Sequence, residues 1–325
     1  MELRRVQRTG GGTFFVCLPK KWAERNGLNR GSLVSISEGM SGQLVIDVKY
    51  GTEPQPQVVV IKPTPFLDRE IVGNYLLGYD LIRVEAKDKI TSSDREHVKQ
   101  AASRLIGLEI VEDNYSTIMM QCLLEPSAFP PEKILRREYS ISSSMHRDAV
   151  TAFIEGDAHL AKNVMDRDNE VDRLYFLLVR ILRTVIRNPR LSEKLGILPI
   201  ECLDYRLASS LVEAIGDQSS QIAQNAINLP QKVAKETSQI ILRFHTKVYE
   251  SHEIALNALF SRDVSTAESV RAKQEVVNKV FLEVQEAARN QPVEIVPPTL
   301  DTASSLNRIY DYSVDIADLV MPRLT

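Results

Sequence analysis

Two pairs of carboxylates stand four residues apart within helical text: Asp168 with Asp172, and Glu213 with Asp217. A four-residue step brings two side chains one turn apart on a single helix face. Carboxylates held so close raise each other's proton affinity unless a cation lies between them. An all-oxygen set without His or Cys favours hard cations such as Mg²⁺, Mn²⁺, Ca²⁺ or iron. The alternative is a solvated acidic face, since Glu213 and Asp217 lie opposite Ile215 and Ile222 on the helix.

A second kind of chemistry gathers at the N-terminus. Residues 1–30 hold seven basic side chains (Arg4, Arg5, Arg8, Lys20, Lys21, Arg25, Arg30) against Glu2 and Glu24, a local balance of +5. The whole chain carries −3, so the remainder stands at −8 by subtraction. Such a molecule has no overall field for polyanions, and a nucleic-acid role must rest on that local patch. Arg4, Arg5, Arg8, Lys20 and Lys21 are the candidates for phosphate contact with DNA. A basic surface that solubilises the module or docks a protein is the alternative. Gly10 to Gly12 lack the following Gly-Lys-Ser/Thr of a phosphate loop and read as a hairpin turn. The five histidines (His97, His146, His159, His245, His252) show no metal-ligand spacing and read as surface or core residues. Trp22 reads as packing beneath the hairpins.

The elements that must position these groups fall into three segments. Residues 1–50 alternate like strands at Thr13–Leu18, Leu33–Ile36 and Leu44–Val48, with one helical stretch at Lys20–Asn26. So few large apolar residues can hardly close a core alone, and homodimerisation through this module is expected. Residues 57–125 read as a small α+β domain: strand Val58–Ile61, helix Asp68–Gly78, strand Leu81–Glu85, helix Ser93–Leu105, then strands at Leu108–Val111 and Ile118–Leu124. No catalytic constellation lies inside it. Residues 132–325 are helical, broken near Gly156, Asn188–Gly196, Pro230, Ser261 and Asn290–Pro298 into six helices. Val171, Leu174, Tyr175, Leu178, Ile181, Leu182 and Val185 recur at steps of three and four and define one buried face.

That helical segment repeats itself. An offset of 94 residues aligns Ser210–Ala223 with Ser304–Ala317, with identities at Ser210/Ser304, Ile215/Ile309, Asp217/Asp311, Ser219/Ser313, Ile222/Ile316 and Ala223/Ala317. Six helices with a duplicated third member imply two three-helix bundles in tandem, residues 132–229 and 231–325, docked by their apolar faces. In the second copy the acidic positions become Gln274, Asn278, Asn307 and Asp311, so a cation site there is expected to be weak or absent.

A chain of 325 residues with 43% hydrophobic and 26% charged residues is that of a soluble multidomain protein. Cys17, Cys122 and Cys202 are odd in number and widely spaced, which points to neither disulfides nor a zinc site and fits a reducing, cytoplasmic setting. Every long apolar run is interrupted by arginines, so no membrane span or signal peptide is expected.

Two family resemblances attach to these motifs. Glu213-Ala-Ile-Gly-Asp-Gln-Ser-Ser-Gln-Ile-Ala223, Asp168-Asn-Glu-Val-Asp172 and the second-copy Arg308-Ile-Tyr-Asp-Tyr-Ser-Val-Asp-Ile-Ala317 resemble PhoU proteins over residues 133–325. The resemblance implies a two-bundle helical regulator of phosphate uptake, with metal ions on the acidic motifs and a phosphate transporter ATPase or sensor kinase as partner. The N-terminal Arg4-Arg-Val-Gln-Arg-Thr-Gly, Thr13-Phe-Phe-Val-Cys-Leu-Pro-Lys-Lys-Trp22 and Gly27-Leu-Asn-Arg-Gly-Ser-Leu-Val34 are similar to the AbrB/SpoVT swapped-hairpin module. That similarity implies an interlocked dimer that contacts DNA. The combined expectation is a β-rich hairpin module, a small α+β domain and tandem all-α bundles in a DNA-binding phosphate regulator, or in an adaptor whose N-terminal module only dimerises. An enzyme is not expected: redox di-metal bundles add Glu-x-x-His ligands that this sequence lacks.

Overall fold

The computed structural model describes residues 2–38, 42–48 and 56–322. The expected domain limits at residues 50 and 325 lie outside the described residues. The chain divides after Gln55 into two units.

The first unit consists of small hairpins. Strand β1 (Gln7–Arg8) pairs antiparallel with β2 (Phe14–Phe15), placing Arg8 opposite Phe14. The glycine run makes the turn between them: the Gly12 N–H donates to the Thr9 carbonyl at 3.0 Å, and Thr9 N–H to Thr13 at 2.9 Å. Gly12 has φ +91°, a left-handed value that a side chain would make costly. Helix α1 (Lys20–Arg25) follows, and β3 (Ser35–Glu38) pairs antiparallel with β4 (Leu44–Asp47). The expected strands shrink because only residues with a hydrogen-bonding neighbour stay in a ladder; Val16, Leu18 and Leu33 fall outside the ladders formed among the described residues. No described residue of 2–48 is buried.

The second unit opens with a four-stranded sheet of order β5-β6-β8-β7. Strands β5 (Val58–Ile61) and β6 (Leu81–Glu85) are parallel, joined through α2 (Leu67–Leu76). After α3 (Ser92–Ser103), β7 (Leu108–Asp113) and β8 (Thr117–Cys122) complete an antiparallel edge with a bulge between Ile110 and Glu112. Alternation decides the buried face: Ile82, Val84, Ile118 and Met120 point into a core with Leu67, Ile71, Tyr75 and Val98 from the helices. Helix α3 starts at a capping box in which Thr91 and Asp94 satisfy each other's backbone N–H groups.

The helical part comprises α4 (Pro131–Glu155), α5 (Ala158–Arg187), the short α6 (Pro189–Leu195), α7 (Glu201–Ile227), α8 (Lys235–Ser261), the short α9 (Val264–Arg271), α10 (Gln274–Arg289) and α11 (Val296–Asp318). Six long helices are present as expected. The short α6 occupies the stretch Asn188–Gly196 read from sequence as a break, where Asn188 caps a new helix, while α9, capped by Asp263, and α10 divide the fifth expected helix between them. Helices α4, α5 and α7 pack as one three-helix bundle, and α8, α10 and α11 as a second, with α9 against α8 and α11. The bundles join along α4 against α8 and α7 against α11, in one continuous apolar core. The stripe on α5 is buried at Val171, Leu178, Ile181, Leu182 and Val185, with Leu174 and Tyr175 at its margin.

Duplication extends to the turns. Gly156, at φ +67°, ends α4 and Asp157 caps α5; Arg262, at φ 56°, ends α8 and Asp263 caps α9. The non-glycine copy is steadied by the ion pair from Arg262 to Glu201 at the start of α7. Among the described residues no helix is long and apolar enough to cross a membrane.

Candidate functional site

All four candidate carboxylates lie on the α5–α7 seam of the first bundle. Asp168 and Asp172 come from α5, Glu213 and Asp217 from α7; the first three are half-buried and Asp217 is exposed. Gly216 is the close-approach position: a Cβ there would lie 3.6 Å from Asp168 Oδ1 and 3.5 Å from Ser142 Oγ. The carboxylates raise one another. Burial and then Asp217, Asp172 and Asp168 lift Glu213 to about 7, and burial with Asp217 and Asp172 lifts Asp168 to about 6. Asp172 is also raised by burial, eased by Arg104, which reaches it at 3.7 Å from the C-terminal end of α3. Asp217 is raised by the chain packed around it and by Asp172.

Among the described residues no three His, Cys, Asp or Glu side chains close on a common point that would hold an ion. The chemistry of the donor set fits a hard cation: oxygen ligands, mutual repulsion, and raised proton affinity that a positive charge would relieve. The second copy places Gln274 and Asn278 on α10 and Asn307 and Asp311 on α11. There Asn307 Nδ2 donates to Asp311 Oδ2 at 3.3 Å, so the one carboxylate of that set already has an amide donor as partner.

Two groups of polar residues escaped the sequence reading. Glu138 on α4 is fully buried, accepts from Ser209 Oγ at 2.7 Å through Oε2, and has no partner at Oε1. Burial, with Glu213 nearby, holds its carboxyl well above the usual range, and the Ser209 hydrogen bond offsets part of that rise. It falls in phase with Ile134, Ile141 and Met145, and a carboxylate at a core position of an amphipathic helix was the available signal.

The second group is a chain of imidazoles between the bundles. Tyr139 OH contacts His252 Nδ1 at 2.9 Å, His252 Nε2 contacts His146 Nδ1 at 3.1 Å, and His146 Nε2 contacts His245 Nδ1 at 3.2 Å. Tyr139 and His146 are seven residues apart on α4, as are His245 and His252 on α8, and the two pairs interdigitate antiparallel. Burial first, then the neighbouring imidazoles, holds His146 well below the usual range and His252 at about 3; burial and Arg147 hold His245 at about 4. Three neutral rings, one proton each, thus make an unbroken hydrogen-bonded row. The reading of these three as core residues fits, but their assembly needed the docking of two repeats.

At the N-terminus Arg4, Arg5, Arg8, Lys20 and Lys21 are all exposed. Arg4 pairs with Glu2, Arg8 lies 5.5 Å from the Phe14 ring centroid, and Lys20 meets Glu24 at 3.7 Å. Arg8 stands in β1 beside the glycine turn and Lys20 and Lys21 open α1. Trp22 is half-buried.

The model of one family, the PhoU domain, matches this chain twice, at residues 135–226 and 241–320, together more than half of its length. The two matches coincide with the two bundles. Among solved structures, PhoU from Pseudomonas aeruginosa is similar with 20% identity and a TM-score of 0.53, over 60% of this chain and 95% of that one. The phosphate transport system regulatory protein PhoU from Streptococcus pneumoniae is similar with 16% identity and a TM-score of 0.50, over 58% and 91%. At such identities the likeness is one of fold. No curated protein matches the chain.

Proposed function

This chain belongs to the PhoU domain family, and on that premise we propose that it is a DNA-binding regulator of phosphate transport. In this reading the helical half senses a cation or a phosphate-linked signal, and the N-terminal module, similar to AbrB/SpoVT hairpins, contacts DNA as a homodimer. The observation that carries it is the pairing of a twice-matched PhoU domain with a separate unit in which Arg4, Arg5, Arg8, Lys20 and Lys21 are all exposed. Two subunits would double that charge at one surface and release phosphate counterions on contact. The cation would be a hard one on Asp168, Asp172, Glu213 and Asp217, partly hydrated as Mg²⁺ commonly is. A gel shift on the protein's own upstream DNA and on phosphate-transport promoters, against random DNA and with salt titrated, tests the transcriptional half. Preferential binding is expected; equal or absent binding at low salt removes it.

A second reading keeps the premise and makes the chain an adaptor to a phosphate transporter ATPase or sensor kinase, with the N-terminal module only dimerising. It is favoured by the apolar exposure of that module, with Leu3 at 83% and Leu33 at 78%, which asks for a covering copy more than for DNA. Co-purification with the ATPase or kinase, without DNA affinity, distinguishes it.

A further inference from the structure

A trough of about 380 Å³ opens between α5 and α7, beside the end of α2, and none of the four candidate carboxylates lines it. Its floor is apolar and buried: Val179, Leu182 and Cys202. Its rim holds Arg183, Arg187 and Arg206, and no acidic side chain lines it. Arg187 donates to the Leu77 carbonyl, and Arg206 lies 4.6 Å from the Tyr175 ring centroid. The Arg183 guanidinium has no hydrogen-bond or ion-pair partner among the described residues, though its carbonyl accepts from Arg187 Nε. A trough with a net +3 lining is thus set into a chain of net charge −3.

The apolar edge is also unusual. Leu203 in the trough is 56% exposed, Leu207 one turn on is 53% exposed, and Ile200, at the N-cap of α7, is 59% exposed. These three stand at i, i+3 and i+7, the spacing by which one helix anchors another. Ile186 of α5 and Leu77 at the end of α2 face the same opening and are exposed as well.

We infer that this trough is a docking site for an amphipathic helix with acidic flanks, supplied by a partner protein. Its leucine-like face would cover Leu203 and Ile186, and its carboxylates would meet the three guanidinium groups, a fork geometry suited to carboxylates. A two-fold dimer with its axis through the trough would set arginine against arginine, which favours an acidic partner over a second copy there. The site stands whether or not the N-terminal module contacts DNA.

The test uses the full-length protein and a dye-labelled synthetic helix about five turns long, with leucines at i, i+3, i+4 and i+7 and glutamates elsewhere, read by fluorescence anisotropy. A companion helix carries lysines in place of the glutamates. The acidic helix should bind and the lysine helix should bind about tenfold more weakly or not at all. Arg183→Glu and, separately, Leu203→Ser, both at exposed positions, should each weaken the acidic helix about tenfold, while Leu282→Ser on exposed α10 leaves it unchanged. Indifference to probe charge, absence of binding, or full affinity in both trough variants overturns the inference. So does a concentration-dependent dimer lost in Leu203→Ser, which assigns the face to a second copy. Adsorption to phosphatidylglycerol vesicles that the same variants abolish, without affinity for the acidic helix, assigns it to lipid and overturns it equally.

Discussion

Carboxylates that repel one another cost stability unless something positive joins them, and in this chain that cost is concentrated in one copy of the repeat. Glu213 and Asp168 have folded-state proton affinities above those of an unfolded chain, so the folded state binds more protons than the unfolded one between about pH 4 and 7. Their contribution to stability therefore falls as pH rises through that window. Glu213→Gln should melt at a higher temperature than the parent at pH 8 without divalent ions, and the difference should vanish near pH 4. Adding Mg²⁺ or Mn²⁺ at about a hundred times its dissociation constant should stabilise the parent by roughly 2.7 kcal/mol, and Asp217→Ala should lose most of that gain. A thermal-shift series across pH and metal measures both effects; no metal response in the parent removes the cation reading. The acidic pairs were legible in sequence because four-residue spacing is visible in one helix. Glu138 was legible only in retrospect, since its meaning depends on Ser209 of another helix, 71 positions away.

At the scale of elements, Arg180 ties the α+β layer to the helices. It is 3% exposed and donates from one nitrogen to the carbonyls of Tyr75 at 2.6 Å and Tyr79 at 2.9 Å, at the C-terminal end of α2, with Asp80 at 3.6 Å. Its guanidinium also lies 4.8 Å from the Tyr75 ring centroid. A basic group at a helix C-terminus satisfies carbonyls that have no partner in the helix. Arg180→Leu should cost on the order of 3 kcal/mol, and urea unfolding should show it, with residues 56–124 becoming the first target of limited proteolysis. Unchanged stability would mean that water replaces the guanidinium. Gly156→Ala forces a side chain into a left-handed turn and should cost roughly 1–2 kcal/mol, readable in the same unfolding curves. In sequence Arg180 looked like an interruption of an apolar run; the helix end it caps could not be foreseen from α5 alone. The strands and helices of residues 58–122 were legible nearly residue for residue, because alternation and helical period differ sharply there. The short helix α6 was missed because Pro189 read as a stop while Asn188 caps a new helix, and the division of the fifth expected helix into α9 and α10 at Ala272–Lys273 carries no Gly or Pro to signal it.

The whole second unit depends on the seam between repeats, and that seam carries the neutral imidazole row. Unfolded histidines take up protons near pH 6.5, whereas His146, His245 and His252 stay neutral far below that in the folded chain. The unfolded state then binds more protons, so stability falls as pH drops below about 6.5 and continues to fall toward the folded values of about 4 and 3. The groups facing the row, Arg147 and Tyr249 beside His245 and Tyr249 and Glu253 beside Tyr139, offer one cation and one carboxylate, which leaves no set of carboxylates ready to receive three imidazolium charges. Acidification from pH 7 to 5 should therefore lower the melting temperature, and His146→Gln should flatten that dependence while lowering stability at pH 7; an unchanged slope would show the row to be irrelevant. This effect opposes that of the carboxylates, so the variants separate what the parent's curve sums. The bundle count and duplication were legible in the repeat, whereas the row required two helices 100 residues apart to meet.

The proposed regulator stands most directly on the N-terminal charges. The affinity of the full-length protein for upstream DNA should be measured from 50 to 300 mM salt, beside an Arg4→Ala, Arg5→Ala, Arg8→Ala variant. Steep salt dependence in the parent, with a slope shallower by about 0.9 for each phosphate contact removed in the variant, is the predicted result. Parent and variant lines that coincide, or no binding at 50 mM, would contradict the account.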